Sequence, residues 1–125
     1  MAFDLAIDIE NAPGALADAA AAISDAGVNI AAATCVAAGQ RAELHILVPH
    51  AEVVRHMLAI SHIAVMRECE VVVIDVEDRP GVLADLTRRI ARAGVNLDLV
   101  YVATRDRVVF GSPDIAALRD ALESA

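Results

Sequence analysis

Residues 12–30 read APGALADAAAAISDAGVNI, and residues 79–97 read RPGVLADLTRRIARAGVNL. Aligned at a constant offset of 67 they are identical at ten of nineteen positions, which marks an internal duplication. The likeness continues upstream, where Ile7-Asp8-Ile9-Glu10 corresponds to Ile74-Asp75-Val76-Glu77. The copied unit therefore includes the strand leading into the helix. The boundary falls near Cys69, giving modules 1–69 and 70–125.

Periodicity assigns the elements inside each copy. Phe3, Leu5, Ile7 and Ile9 alternate with Asp4, Ala6, Asp8 and Glu10, the pattern of a half-buried strand, and Val72, Ile74 and Val76 repeat that phase. After each Pro-Gly the period changes. Leu16, Ala19, Ile23 and Ala26 fall on one helical face, as do Leu83, Leu86, Ile90 and Ala93. Pro13 and Pro80 stand near the helix starts, and Gly27 and Gly94 are expected as C-caps. A second strand is predicted over 28–36 and again over 95–104, and a third over 43–48 and again over 108–110. A second helix follows each time, from Pro49 in the first copy. In the second it follows Ser112-Pro113, with the serine as N-cap and the proline at N1.

A fourth strand at about 63–68 completes βαββαβ in the first copy. The expected fold class is therefore α+β, with two tandem ferredoxin-like modules whose antiparallel sheets carry their helices on one face. The second copy ends directly after its second helix, so it is expected to lack its last strand and to leave an open edge. No Gly, Pro or Asn lies between Ile63 and Glu77, so the fourth strand should run directly into the next first strand. Val71, Val73, Val100 and Val102 lie opposite in phase to Val72, Ile74, Leu99 and Tyr101, which makes both faces of the second sheet apolar. Such a sheet is expected to pack on another, and the chain to form a homodimer or a higher homo-oligomer.

Composition narrows the class of partner. With 58% hydrophobic residues and one Tyr and two Phe as its aromatics, the core must be thin layers of Ala, Val, Leu and Ile. A formal net charge of −8 argues against nucleic acid and against an anionic membrane as partner. No apolar run is long enough to span a bilayer, and no basic region precedes the first apolar residues, so a cytoplasmic location is expected. Cys35 and Cys69 are too few for a disulfide framework. They fit a reducing compartment and are expected to be buried small hydrophobes.

The segments Asn11-Ala12-Pro13-Gly14-Ala15-Leu16 and Asp78-Arg79-Pro80-Gly81-Val82-Leu83, each followed by Gly-Val-Asn-Ile or Gly-Val-Asn-Leu, resemble the ACT domain across nearly the whole chain. The resemblance implies regulation rather than catalysis, with a small effector, most often an amino acid, bound where two modules meet. It places the effector against the elbow of one copy and the start of the second strand of the other. Asn11, Gly14, Ala15 and Leu16 would work with Asn96, and Asp78, Gly81, Val82 and Leu83 with Asn29. The sequence departs from the family pattern in its missing last strand and in having Asn11 where the second copy has Asp78.

Chemistry makes these residues suitable. Free N–H groups at a helix start favour an α-carboxylate, a glycine admits close approach, and Asp78 or the asparagine oxygens would accept from an α-ammonium. A purely structural reading stands beside this one. In it, Asn11 and Asp78 cap their own helices, and Asn29 and Asn96 only accommodate the turn after the C-cap glycine.

Other signals lead nowhere specific. His45, His50, His56 and His62 have no metal-ligand spacing and are expected at the surface. Arg88, Arg89 and Arg92 lie on the solvent side of their helix. No nucleophile and base pair, phosphate loop or metal constellation is present in the sequence, so neither catalytic residues nor a cofactor are expected. An RNA-reading sheet would need exposed aromatics, and Tyr101 alone does not suffice. The competing function is a ligand-free interaction module that docks on an enzyme and modulates it.

Overall fold

The computed structural model describes residues 2–123. The chain divides into two compact units, residues Ala2–Cys69 and the residues from Glu70 onward.

In the first unit the alternating N-terminus forms β1 (Ala2–Glu10), followed by α1 (Ala15–Asp25), β2 (Ala33–Ala38), β3 (Arg41–Val48), α2 (Ala51–Ile60) and the opening half of β4 (Val65–Asp75). Strand order is β2-β3-β1-β4. β3 runs antiparallel to β1, setting Leu5 opposite Ile46 and Ile7 opposite Leu44. Because side chains alternate across a strand, these four share one face. Ala19 and Ile23 of α1 and Ala51, Val54 and Leu58 of α2 close over it as a single aliphatic core. Each fully buried Leu or Ile there contributes roughly 1.5–3 kcal/mol relative to exposure. Both helices thus lie on one face of an antiparallel sheet, the ferredoxin-like arrangement.

The second unit contains the closing half of β4, α3 (Val82–Arg92), β5 (Leu99–Ala103), β6 (Arg107–Gly111) and α4 (Ile115–Glu123), with strand order β4-β6-β5. Val72 and Ile74 face Phe110 and Val108 across the ladder. Ile90, Leu118 and Leu122 cover that face. On the opposite face Val71, Tyr101 and Val109 are also buried, in keeping with the apolar residues in both phases. β4 is one uninterrupted strand, as the absence of breakers between Ile63 and Glu77 requires. No fourth strand of this unit occurs among the described residues, and Ser124 and Ala125 lie outside them.

Several local expectations are corrected. Helices α1 and α3 end in matched Schellman turns. Gly27 (φ 77°) donates to Ser24 O at 2.9 Å and Val28 to Ile23 O at 3.2 Å. Gly94 (φ 74°) donates to Ala91 O at 3.0 Å and Val95 to Ile90 O at 3.3 Å. The chain then needs several residues to return to the sheet, so β2 begins at Ala33 and β5 at Leu99, later than periodicity suggests. Helix α2 starts at Ala51 rather than at Pro49. Helix α4 is capped by Asp114, whose carboxylate accepts from the Ala117 N–H at 3.1 Å, and Ser112 Oγ instead accepts from the Asp114 N–H at 3.2 Å. Pro113 therefore precedes the cap. Cys35 and Cys69 are exposed rather than buried. Cys35 sits on an outer strand, and Cys69 at the midpoint of β4, where burial is low from Met66 to Cys69.

Candidate functional site: two matched elbows

At the first elbow Gly14 adopts φ 88° and ψ −16°, and at the second Gly81 adopts φ 88° and ψ −8°. This left-handed conformation is open to glycine and costly for other residues, which explains why both copies carry Pro-Gly there. The hydrogen bonds repeat as well. Ala15 donates to Ala12 O at 3.2 Å and Asp18 to Gly14 O at 2.9 Å. Val82 donates to Arg79 O at 3.5 Å and Asp85 to Gly81 O at 2.9 Å. Among the described residues no partner reaches the amides of Leu16 and Ala17, or those of Leu83 and Ala84. Neither helix has a side-chain N-cap. Each elbow therefore presents two free N–H groups at the positive end of an eleven-residue helix.

The elbows differ at one side chain. Asn11 donates from Nδ2 to Gly39 O at 2.8 Å, and its own N–H donates to Gln40 O at 2.9 Å, so the first elbow is tied to the β2–β3 turn. Asp78 makes no hydrogen bond or ion pair among the described residues. Neither residue caps its own helix, the role that the purely structural reading gave them. Beside Asp78, Arg79 pairs with Glu77 at 3.3 Å and with Asp85 at 3.4 Å, leaving the Asp78 carboxylate uncompensated and exposed.

Leu16 and Leu83, which the helical period places on the core face, are 47% and 40% exposed. The cores begin one turn later, at Ala19 and Leu86, so these leucines form an apolar flank to each elbow. Ala15 beside Gly14 and Val82 beside Gly81 are both half-buried. Asn29 and Asn96 lie beyond the far ends of α1 and α3. Eleven helical residues rise about 16 Å, so a module does not bring its own asparagine to its own elbow. Asn29 makes no side-chain hydrogen bond among the described residues, and Asn96 donates to Asp98 Oδ1 at 3.3 Å.

Sequence reasoning missed a polar cluster on the first sheet, on the face opposite its helices. Asp4 is only 3% exposed and lies 2.7 Å from His45 Nδ1, while His45 Nε2 lies 2.8 Å from Glu43 Oε1. Arg67 pairs with the same Glu43 oxygen. His50, His56 and His62 are exposed as expected, but His45 is not a surface histidine. The strict alternation of β1 puts Asp4 on the polar side, which reads as solvent, and only the β1–β3 register, which sets Ala6 opposite His45 with Asp4 as the diagonal neighbour on the same face, reveals the pairing. Nearby, Arg41 holds Asp8 at 2.5 Å and lowers its carboxyl pKa below the ordinary value, mainly through that hydrogen bond. Asp8, Val36, Arg41, Glu43 and His45 line a shallow open depression of about 310 Å³. No group of metal-ligating side chains occurs among the described residues. In the arginine cluster, Arg88 pairs with Asp85 at 3.4 Å and Arg89 donates to Leu122 O at 3.3 Å at the end of α4. No helix among the described residues is long and apolar enough to cross a membrane.

The second elbow, its Schellman turn and the strands around them have a counterpart in a known family. Residues 71–124 match the ACT domain. The matched stretch begins in the closing half of β4 and runs through α4, so the Asp78 elbow lies inside it. No curated protein matches the sequence. Among solved structures, protein BT0572 from Bacteroides thetaiotaomicron is similar over 97% of this chain and 85% of its own, at 22% identity and a TM-score of 0.85. The ligand-free regulatory subunit of aspartate kinase from Thermus thermophilus is similar over 98% and 92%, at 18% identity and 0.65. The corresponding subunit from Thermus flavus is similar over 98% and 93%, at 17% identity and 0.60. At these identities the likeness concerns the fold.

Proposed function

We propose that the chain is a non-catalytic regulatory protein whose residues 1–69 and 70–125 act as a tandem pair of ACT-like modules, binding a free amino acid at the Pro-Gly elbows. The observation that carries this reading is the Asp78 elbow, where two helix amides and a carboxylate, none with a partner among the described residues, fall within one short segment inside the stretch that matches the ACT domain. The amides and helix dipole suit an α-carboxylate, and Asp78 suits an α-ammonium. Gly81 lets the ligand backbone approach, and Val82 and Leu83 offer an apolar flank to its side chain. Asn29 and Asn96 reach an elbow only when a facing module presents them, which favours function as a homodimer or higher assembly. The aspartate kinase regulatory subunits among the structural neighbours support the regulatory class, and exposed free thiols at Cys35 and Cys69 support a reducing, cytoplasmic setting.

A thermal-shift screen of the full chain against the twenty free amino acids tests the proposal. An effector at 100 times its Kd stabilises the fold by about 2.7 kcal/mol and raises the melting temperature visibly. If none of the twenty moves the transition, the sensor reading fails. The exposed leucines Leu16 and Leu83 then favour the second reading, a ligand-free module that docks on an enzyme through these elbows.

A further inference from the structure

We propose that the outward side of α2 is a docking surface for a helix of a partner protein, one that carries apolar residues along one face and lysines or arginines beside them. This inference does not depend on the effector reading, and α2 contributes no residue to either elbow. Ala51, Val54 and Leu58 turn one side of α2 into the core. Val53, Met57 and Ile60 follow one another at i, i+4 and i+7, which sets them along a second line on the same helix. Val53 and Ile60 are each 62% exposed, and Met57 is half-buried. A helix lying on a sheet ordinarily carries polar residues opposite its buried stripe. Here Val53 and Ile60 stand in that place. Val53 and Met57, with Glu52, Arg55 and His56, line an open depression of about 630 Å³.

Folding of the module does not call for these side chains. Val and Ile are poorer helix formers than Gln, Glu or Lys, because a branched Cβ loses χ1 freedom against the preceding turn. At their exposure neither recovers much of that cost through burial. The spacing of four residues and then three is that of a coiled-coil seam, on which one partner helix seats a matching line of apolar residues. A flexible methionine at its middle adapts to the partner's shape. Charge selects that partner. β1 and β3 are antiparallel and lead into α1 and α2, so the helices run in opposite directions, and the end of α1 lies at the same end of the layer as the start of α2. Asp25 closes α1 and Glu52 stands in the first turn of α2, both exposed, and no partner reaches either carboxylate among the described residues. α1 has no lysine or arginine, and Arg55 of α2 is paired with Glu68 at 2.5 Å. An apolar line beside unpaired carboxylates attracts a cationic amphipathic helix and repels an acidic one or an anionic bilayer.

The test uses the full chain and three synthetic helical peptides that share a line of leucines at i, i+4 and i+7 and differ in their flanking residues, which are lysine, glutamine or glutamate. Anisotropy of the labelled peptide reads binding, and the methyl resonances of Val53, Met57 and Ile60 read its place. The lysine peptide should bind and shift those methyls, and the glutamate peptide should bind at least about tenfold more weakly. Val53→Gln combined with Ile60→Gln should weaken the lysine peptide by about tenfold or more. Asp25→Asn combined with Glu52→Gln should weaken it at low salt and remove much of its salt dependence. Circular dichroism establishes that each variant is folded. If the first pair fails to fold, the second pair, at exposed polar positions, carries the test. No binding of the lysine peptide overturns the proposal, as does equal binding of all three peptides or binding unchanged in Val53→Gln with Ile60→Gln. A mass by light scattering that falls in that variant overturns it in favour of a second copy on the surface. Sedimentation with phosphatidylcholine vesicles that is lost in the same variant overturns it in favour of a membrane.

Discussion

The side-chain amide of Asn11 donates to the carbonyl oxygen of Gly39 across 2.8 Å, and this bond distinguishes two elbows that share the same backbone. Asn11 is engaged in holding its own module together, whereas Asp78 has no such engagement. Asn11→Ala should therefore lower stability by about 1 kcal/mol, the usual contribution of one hydrogen bond. Asp78→Ala, an exposed position with no partner among the described residues, should stay within about 0.5 kcal/mol of the parent while losing the response to the effector. Urea denaturation of both variants, with and without the amino acid that scores in the thermal screen, checks the contrast.

The left-handed glycines give a second prediction. A Cβ at Gly14 meets no atom within 4 Å, and one at Gly81 meets only Arg79 Nη1 at 4.0 Å. Steric crowding is absent, so only the backbone conformation opposes a side chain. Gly14→Ala and Gly81→Ala should each cost about 1–2 kcal/mol, read as a lower urea midpoint at an unchanged m-value. A neutral result would mean that the elbows relax to negative φ without loss.

How much of the molecule is legible in the sequence follows from the reach of each signal. The duplication, the helices and the ferredoxin-like order of the first module follow from local periodicity and from Pro-Gly and Gly-Val-Asn punctuation. Strands after the Schellman turns start later than periodicity suggests, because Val-Asn-Ile reads as strand while its residues are crossing from helix end to sheet. Asp114 displaces Ser112 as cap because Pro113 occupies the place before the helix rather than its first turn. The elbow residues are readable as a motif, but their inequivalence is not. It rests on a contact between Asn11 and Gly39, twenty-eight residues apart. The same limit hides the Asp4–His45 pair, whose partners are forty-one residues apart.

That pair supplies a third prediction. His45 is held between Asp4 and Glu43 by both ring nitrogens, and Asp4 is buried. Removing the imidazole deprives a buried carboxylate of one of its partners, so His45→Ala should destabilise the chain by about 1–3 kcal/mol. His50→Ala, at an exposed position without such partners, is the control and should be nearly neutral in the same denaturation assay.

Acid titration gives a fourth. Arg41 holds the Asp8 carboxyl below its ordinary value of 3.8, mainly through its hydrogen bond, which outweighs the opposing effect of desolvation and is helped by charge attraction. A carboxylate with a depressed folded-state pKa stabilises the fold above 3.8 and loses that contribution as pH falls through the lower folded value. Asp8→Asn should therefore flatten the stability profile below about pH 4 and leave it unchanged in shape near neutrality. Both side chains are exposed, so added salt should shrink the effect in the parent.

The most direct measurement of the central claim is a titration of the ¹⁵N-labelled chain with each free amino acid, following individual backbone amides. If the effector carboxylate is held by the open start of α3, the Leu83 and Ala84 resonances move downfield and saturate together, and Asp78→Asn weakens the titration without changing the unliganded spectrum elsewhere. Binding that leaves Leu83 and Ala84 in place, or that is indifferent to Asp78→Asn, would contradict the account.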